Sequence, residues 1–257
     1  MLNFRRINLL ALGTIFTMMA LYFVRPLPMV SFLLPVLIWS AFVFYGCYYI
    51  DSGFFIRVVC EGDRSEKRMA LTFDDGPSAE HTPAVLNVLR AEGVKATFFC
   101  IGQHIAGNED LLKQIHEEGH TIGNHSYSHH FFFDLFSRRR MIADLKSCDS
   151  IVHSILNITP RMFRPPYGVT NPQVRDAIVE GKYFPVGWNI RSMDTVILDR
   201  NRLMNRVMFR FAPGAIILFH DSGQFTAEIL HDIITEAQRH DYTWVTVDQL
   251  LKIKPYV

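Results

Sequence analysis

Four short stretches concentrate reactive side chains in this 257-residue chain: Asp74-Asp75-Gly76-Pro77, His125-Ser126-Tyr127-Ser128-His129, Arg164-Pro165-Pro166-Tyr167 and Leu218-Phe219-His220-Asp221. Adjacent carboxylates at the end of an extended run point in different directions, so one of Asp74 and Asp75 can bind a cation while the other handles a proton. His125 and His129, four residues apart, can converge on one ion if the segment is helical or tightly wound, with His130 as the alternative partner. One carboxylate and two imidazoles leave coordination positions open, as a catalytic rather than a structural metal requires. Arg164 can clamp a carboxylate, and the prolines after it stiffen a loop whose N–H could face a developing oxyanion. His220 is placed as a general acid. Taken singly, each stretch also reads as a polar turn, a surface histidine pair or an ordinary loop. All four in order argue for one reactive site.

The elements that position them form a strand–helix rhythm. Strand-like runs fall at Met69–Phe73, Ala96–Ile101, Thr121–Asn124, Met162–Arg164, Phe184–Trp188, Ala215–His220 and Thr243–Val247. Helical patterns lie between them. Thr82 and Pro83 open one with Gly93 beyond it, Asn108 and Gly119 bracket the next, and Asn171-Pro172 starts another with Gly181 at its far end. Such alternation predicts an α/β domain with a parallel sheet, a small barrel or a doubly wound sheet, whose reactive residues sit at the C-terminal ends of strands.

These motifs, spanning Met69 to about Leu251, resemble those of the polysaccharide deacetylase family, carbohydrate esterases with a NodB homology domain. The resemblance implies an irregular (β/α)7 barrel and metal-dependent removal of an N-acyl group, usually acetyl, from an amino sugar. It implies that Asp75, His125 and His129 hold a divalent ion, zinc first, with cobalt, nickel or manganese as alternatives. By the same resemblance Asp74 deprotonates the attacking water, Arg164 orients Asp74, and the Tyr167 N–H stabilises the oxyanion. His220 protonates the leaving amine, Asp194 tunes His220, Leu218 lines the acyl pocket and Trp188 belongs to the substrate wall. One stretch departs from the family pattern: Arg191 stands where an Asp is usual and Thr195 where a Trp is usual, which alters the substrate wall. A variant of the chemistry removes formyl from a lipid-linked amino sugar. A non-catalytic glycan binder would be marked by lost ligands, and all of them are present here.

Charge and hydropathy divide the chain. Overall it carries 26 Lys and Arg against 25 Asp and Glu, which gives no footing for nucleic-acid binding. Residues 1–58 hold Arg5, Arg6, Arg25 and Arg57 against Asp51 alone, a balance of +3, leaving −2 for the rest. Ile7–Val24 is uncharged for 18 residues and Pro26–Ile50 for 25, against about 20 needed to cross hydrocarbon. A signal peptide would have an apolar core of only about 7–15 residues and no second long run. The expected organisation is a membrane hairpin over 1–58 (spans about 7–24 and 29–50), a linker over 59–67 and a catalytic domain over 68–257. Pro35 would kink the second span or mark a re-entrant turn. Arg5 and Arg6 at the start, and Arg57, Arg64, Lys67 and Arg68 after the second span, outweigh Arg25 in the connection. This favours an integral protein of a bacterial plasma membrane with both ends cytoplasmic, acting on a glycan or a lipid-linked saccharide. Cys47, Cys60, Cys100 and Cys148 form no paired motif and read as small buried hydrophobes. Finally, Phe131-Phe132-Phe133 through Phe136 precedes Arg138-Arg139-Arg140. The aromatics either pack under the barrel rim, the preferred reading, with Ser137 capping a helix, or rest with the arginines on membrane lipid.

Overall fold

The computed structural model describes residues 3–223 and 225–257. Two apolar helices come first, α1 (Phe4–Val24) and α2 (Leu33–Tyr48), the latter entered through a 3-10 turn at Met29–Phe32. Counting that turn, the two apolar rods have 21 and 20 residues. At 1.5 Å per residue each is about 30 Å long, the thickness of bilayer hydrocarbon. Both are therefore long and apolar enough to cross a membrane, and they turn most of their side chains outward. Trp39 Nε1 donates to Asn8 Oδ1 at 2.7 Å and ties the pair together. Pro35 falls in the first turn of α2, where a missing N–H costs no helical bond, so it marks a helix start rather than a kink.

After the hairpin the chain alternates strands and helices. The order is β1 (Arg68–Asp74), α3 (Thr82–Ala91), β2 (Thr97–Cys100), α4 (Gly102–Ile105), α5 (Glu109–Glu117), β3 (Thr121–Asn124), α6 (Arg138–Leu156) and β4 (Met162–Phe163). Then follow α7 (Pro172–Gly181), β5 (Phe184–Pro185), β6 (Ile190–Arg191), α8 (Arg200–Met208), β7 (Ile216–His220), α9 (Thr226–Arg239), β8 (Thr243–Trp244) and α10 (Val247–Leu251). The strands pair in parallel in the order β5-β4-β3-β2-β1-β7-β6, with β8 beside the start of β1. This is the irregular (β/α) barrel expected, realised as a curled parallel sheet that stays open between β5 and β6. Two details differ from the sequence reading. The run Phe184–Trp188 stops after Pro185, and a further strand, β6, follows. The run Thr243–Val247 is cut to two residues because Val247 already opens α10, with Gln249 accepting from the Thr246 N–H.

The open seam is not left bare. Val59 bridges Val186 in parallel and Glu61 bridges Ala215 in antiparallel fashion. The first part of the 59–67 stretch is thus built into the domain, because edge strand β5 leaves backbone groups that need partners.

Strand β1 shows why the reactive residues are where they are. Met69, Leu71 and Phe73 face outward into the main core, where Phe73 stacks on Phe98 at 5.0 Å and on Phe219 at 6.1 Å. The alternate residues Ala70, Thr72 and Asp74 therefore point into the barrel. Ala70 and Thr72 are small, which leaves room beneath Asp74 for a large partner.

The hairpin docks on the domain at the end of α2. The Thr170 N–H donates to Cys47 O at 3.4 Å, and Thr170 Oγ1 donates to Gly46 O at 3.0 Å. A Cβ on Gly46 would overlap the Phe54 ring, so this close approach requires glycine. All four cysteines are free thiols, and Cys60, Cys100 and Cys148 are buried as expected.

Candidate active site

Arg164 fills the space beneath Asp74. Its side chain is fully buried. It donates to Asp74 Oδ1 and Thr72 Oγ1, each at 2.7 Å, and to the carbonyls of Gly187 at 2.8 Å and Val186 at 3.4 Å. The guanidinium also lies over the Phe99 ring at 4.1 Å. Burial pulls its pKa below the ordinary arginine value, and Asp74 acts in the opposite direction. Each nitrogen of the cation thereby has an acceptor, the condition for burying a charge.

Asp75 turns the chain. It adopts φ +74°, a left-handed conformation uncommon for a residue with a Cβ, and this swings its carboxylate away from that of Asp74. The Asp75 carbonyl accepts from His104 Nδ1 at 2.6 Å, and the Ile101 N–H donates to Gly76 O at 2.9 Å, which pins the turn. A Cβ on Gly76 would overlap the Asp221 carboxylate, which in turn accepts from Thr82 Oγ1. Thr82 is accordingly the first residue of α3 and not its cap, since its hydroxyl is committed to Asp221 and to the Ser78 N–H.

His125 and His129 converge without a helix. The loop after β3 winds through positive φ at Ser126 and His129, and it is fixed by Asn124 Oδ1 accepting from Ser126 N and by Asp144 Oδ1 accepting from Tyr127 N. His125 Nδ1 donates to Arg164 O at 2.8 Å, which turns Nε2 into the cleft. The Nε2 atoms of both histidines lie 3.5 Å from Asp75 Oδ1. His130 points elsewhere, with its ring against Phe136, and does not join the cluster.

These three groups fit a cation. Asp75 Oδ1 is buried with no hydrogen-bond partner, and the three ligand atoms lie within 4.8 Å of one another. Ligands held about 2.0–2.1 Å from a tetrahedral ion stand about 3.3 Å apart, close to the separations seen. Burial opposes ionisation of Asp75, but the adjacent His125 and the charges of His129 and His220 hold its carboxyl well below the usual carboxylate range. Burial, reinforced by His125, lowers His129 to about 4, so that imidazole is neutral at pH 7 and free to ligate.

His220 stands opposite. Its Nδ1 and backbone N–H are both held by the Asp194 carboxylate, at 2.8 and 2.7 Å, so Nε2 faces the cleft 4.0 Å from Asp75 Oδ2. Asp194 is itself fixed by the hydroxyls of Ser192 at 2.9 Å and Thr226 at 2.8 Å. Burial alone would lower the His220 pKa, but the Asp194 bond and charge raise it to about 9.

The cleft between these groups measures about 210 Å³. Asp74, Asp75, His125, His129, Tyr167, Trp188, Leu218 and His220 line it, and so do Arg191 and Thr195 of the divergent stretch. Arg164 and Asp194 lie behind the wall, each holding a lining residue. Tyr167 sits in the left-handed region at φ +58°, and the bonds of its 3-10 turn are made by the N–H groups of Gly168 and Val169. A larger groove of about 490 Å³ is lined by Lys67, Phe209 and His240 among others, at the N-terminal ends of the strands, away from this chemistry.

The sequence reading missed the residues that set the loops: Thr72, His104, Asn124, Asp144, Ser192 and Thr226. Asn124, adjacent to His125, carried the clearest available signal; the others approach from distant elements.

Known proteins resemble this chain in sequence and in fold. The polysaccharide deacetylase family model matches residues 61–185. The peptidoglycan-N-acetylglucosamine deacetylase PgdA of Listeria monocytogenes is 35% identical over 188 residues, 73% of this chain and 39% of that protein. The chain thus spans about two fifths of the length of that relative. A Bacillus cereus peptidoglycan-N-acetylglucosamine deacetylase is 34% identical over 202 residues, 77% of this chain and 94% of that protein. The crystal structure of the Bc1960 peptidoglycan N-acetylglucosamine deacetylase superposes with a TM-score of 0.73 at 29% identity, covering 77% of this chain and 94% of that one. With a relative matched across nearly its whole length and a shared fold, the chain belongs to the polysaccharide deacetylase family.

Proposed function

We propose that the protein is a metal-dependent N-deacetylase of amino-sugar glycans, held at a bacterial plasma membrane by its N-terminal hairpin. The observation that carries this reading is one cleft flanked on one side by an Arg164-braced Asp74 and on the other by an Asp194-braced His220, with three convergent ligands between them. Asp75, His125 and His129 would hold the ion, and their one-carboxylate, two-imidazole set suits zinc. When bound, such an ion acts as a Lewis acid and lowers the pKa of water.

The chain's own groups divide the remaining work. Asp74, held by Arg164, takes the proton of the attacking water. The Tyr167 N–H, presented by its left-handed turn, donates to the oxyanion of the former acyl carbonyl. His220, protonated to about pH 9, delivers a proton from Nε2 to the leaving amine. Leu218, only 2% exposed, lines the cleft and would face the acyl methyl. The Lys and Arg distribution favours the cytoplasmic face, where amino-sugar glycans are lipid-linked precursors; on the outer face they are peptidoglycan strands.

The test is an assay of the metal-replete full chain on chito-oligomers, peptidoglycan fragments and lipid-linked amino sugars, with acetate and formate read separately. Acetate release is the expected result, and its absence on every substrate would overturn the reading. Two further outcomes follow from the geometry. Zinc at about 100 times its Kd should raise the melting temperature by the equivalent of about 2.7 kcal/mol, and Asp75→Ala should abolish the rise. In Asp194→Asn, the charge that holds His220 protonated is gone and burial is left to dominate. The alkaline limb of kcat/KM should then move to lower pH by about 1–3 units, which a pH–rate profile reads directly.

A further inference from the structure

The aromatic run after His129 is divided by the fold. Phe133 and Phe136 are buried, and Ser137 caps α6, accepting from the Arg140 N–H. Phe131, Phe132 and Leu135 instead stand 72%, 53% and 71% exposed, on the loop that carries His129 to the cleft. Phe131 contacts the Tyr167 ring at 6.2 Å, which places this patch on the rim of the cleft.

Its position relative to the hairpin is fixed by bonds. Thr170 is held by Gly46 and Cys47 at the end of α2, and the neighbouring Asn171 donates through Nδ2 to Asp134 O at 2.6 Å. The loop holding Phe131, Phe132 and Leu135 is thus joined through two residues to the domain-side end of the second apolar helix. That end carries exposed Tyr45, Tyr48 and Tyr49, the residue type that settles at a membrane–water interface.

Charge points the same way. Arg138, Arg139 and Arg140 occupy the first turn of α6 with no acidic residue among them, although a helix N-terminus already carries positive potential. Arg138 meets Glu180 at 3.4 Å, and Arg140 lies over the Phe136 ring at 3.6 Å. A cationic cluster so placed is stabilised by an external anion, and exposed aromatics beside it are the composition of an interfacial membrane contact.

We infer that Phe131, Phe132 and Leu135 enter the membrane leaflet at the domain-side end of the hairpin, with Arg138–Arg140 on anionic headgroups, so that the mouth of the cleft opens at the lipid surface. The inference rests on the hairpin being a membrane anchor. It selects among substrates: a glycan attached to or lying against that leaflet reaches the cleft, whereas a distant polymer does not.

The test is photo-crosslinking of the full chain in vesicles of phosphatidylethanolamine and phosphatidylglycerol. p-Benzoylphenylalanine replaces one residue at a time, at Phe132, Leu135, Leu12 in α1, or Phe209, which is 89% exposed in the groove with Lys67 and His240. Lipid adducts are read by mass spectrometry. Adducts at Leu12, and at Phe132 and Leu135 about tenfold above Phe209, support the inference. Adducts at Leu12 with positions 132 and 135 no higher than 209 overturn it and leave the anchor standing. No adduct at Leu12 overturns the anchor and the inference with it.

Discussion

Replacing Asp74 by Asn should lower kcat for deacetylation by about 10²–10⁴-fold, the usual range for loss of a positioned general base, while the protein keeps its bound metal. Asn preserves the shape of the side chain and an oxygen for Arg164, so the cleft should keep its form. What it removes is the basic carboxylate oxygen. In the native chain Asp74 Oδ1 is committed to Arg164, and Oδ2 faces the ligand cluster 3.7 Å from His125 Nε2. The proposed metal ligands are a separate set, with Asp75 turned away by its left-handed backbone. Metal content and turnover should therefore part company in this variant. Turnover near that of the unaltered protein, with metal retained, would remove Asp74 from its role. Loss of both together would mean that the two carboxylates share the ion.

Arg164→Met should be the most damaging single substitution for stability, by about 3–5 kcal/mol, because it leaves Asp74 buried without its counter-charge. It also removes the guanidinium's hydrogen bonds to the carbonyls of Val186 and Gly187 and to the Thr72 hydroxyl, which keeps its own bond to Ile217 O. Thermal melting of the full chain would show the loss. The decisive comparison is the double variant Asp74→Asn with Arg164→Met. If an orphaned charge is the main cost, the double variant melts above the single Arg164→Met, because two changes that remove both charges do less harm than one that removes only the cation. Melting of the double variant at or below the single would place the cost in the seam carbonyls instead.

How much of this was legible in advance differs by element. The four motifs were readable because each combines an unusual residue pair with the end of an apolar run, and strand ends are where such a fold exposes side chains. The eight residues named from them, with Asp194 and Trp188 of the divergent stretch, are brought to one cleft or to the layer directly behind it. The ladders of β5, β6 and β8 were not readable to the residue. Two-residue strands carry too little alternation to register, and their extent is set by what flanks them, as when Val247 begins α10. The filling of the seam by Val59 and Glu61 was equally hidden, because it answers to an unpaired edge that exists only once the sheet has curled. The division of the phenylalanines into buried Phe133 and Phe136 and exposed Phe131 and Phe132 depends on a short 3-10 turn at Phe133–Leu135 that propensity does not specify.

The contact of Thr170 with Gly46 and Cys47 changes what the hairpin is to the enzyme. A tether can be cut without touching the machine at its end. Here the first helix carbonyls that a cut would remove are hydrogen-bond acceptors for a residue three positions beyond Tyr167. In the proposed reading the hairpin is therefore also a brace for the loop that carries the Tyr167 N–H, so that membrane attachment and oxyanion geometry would be enforced by the same few atoms.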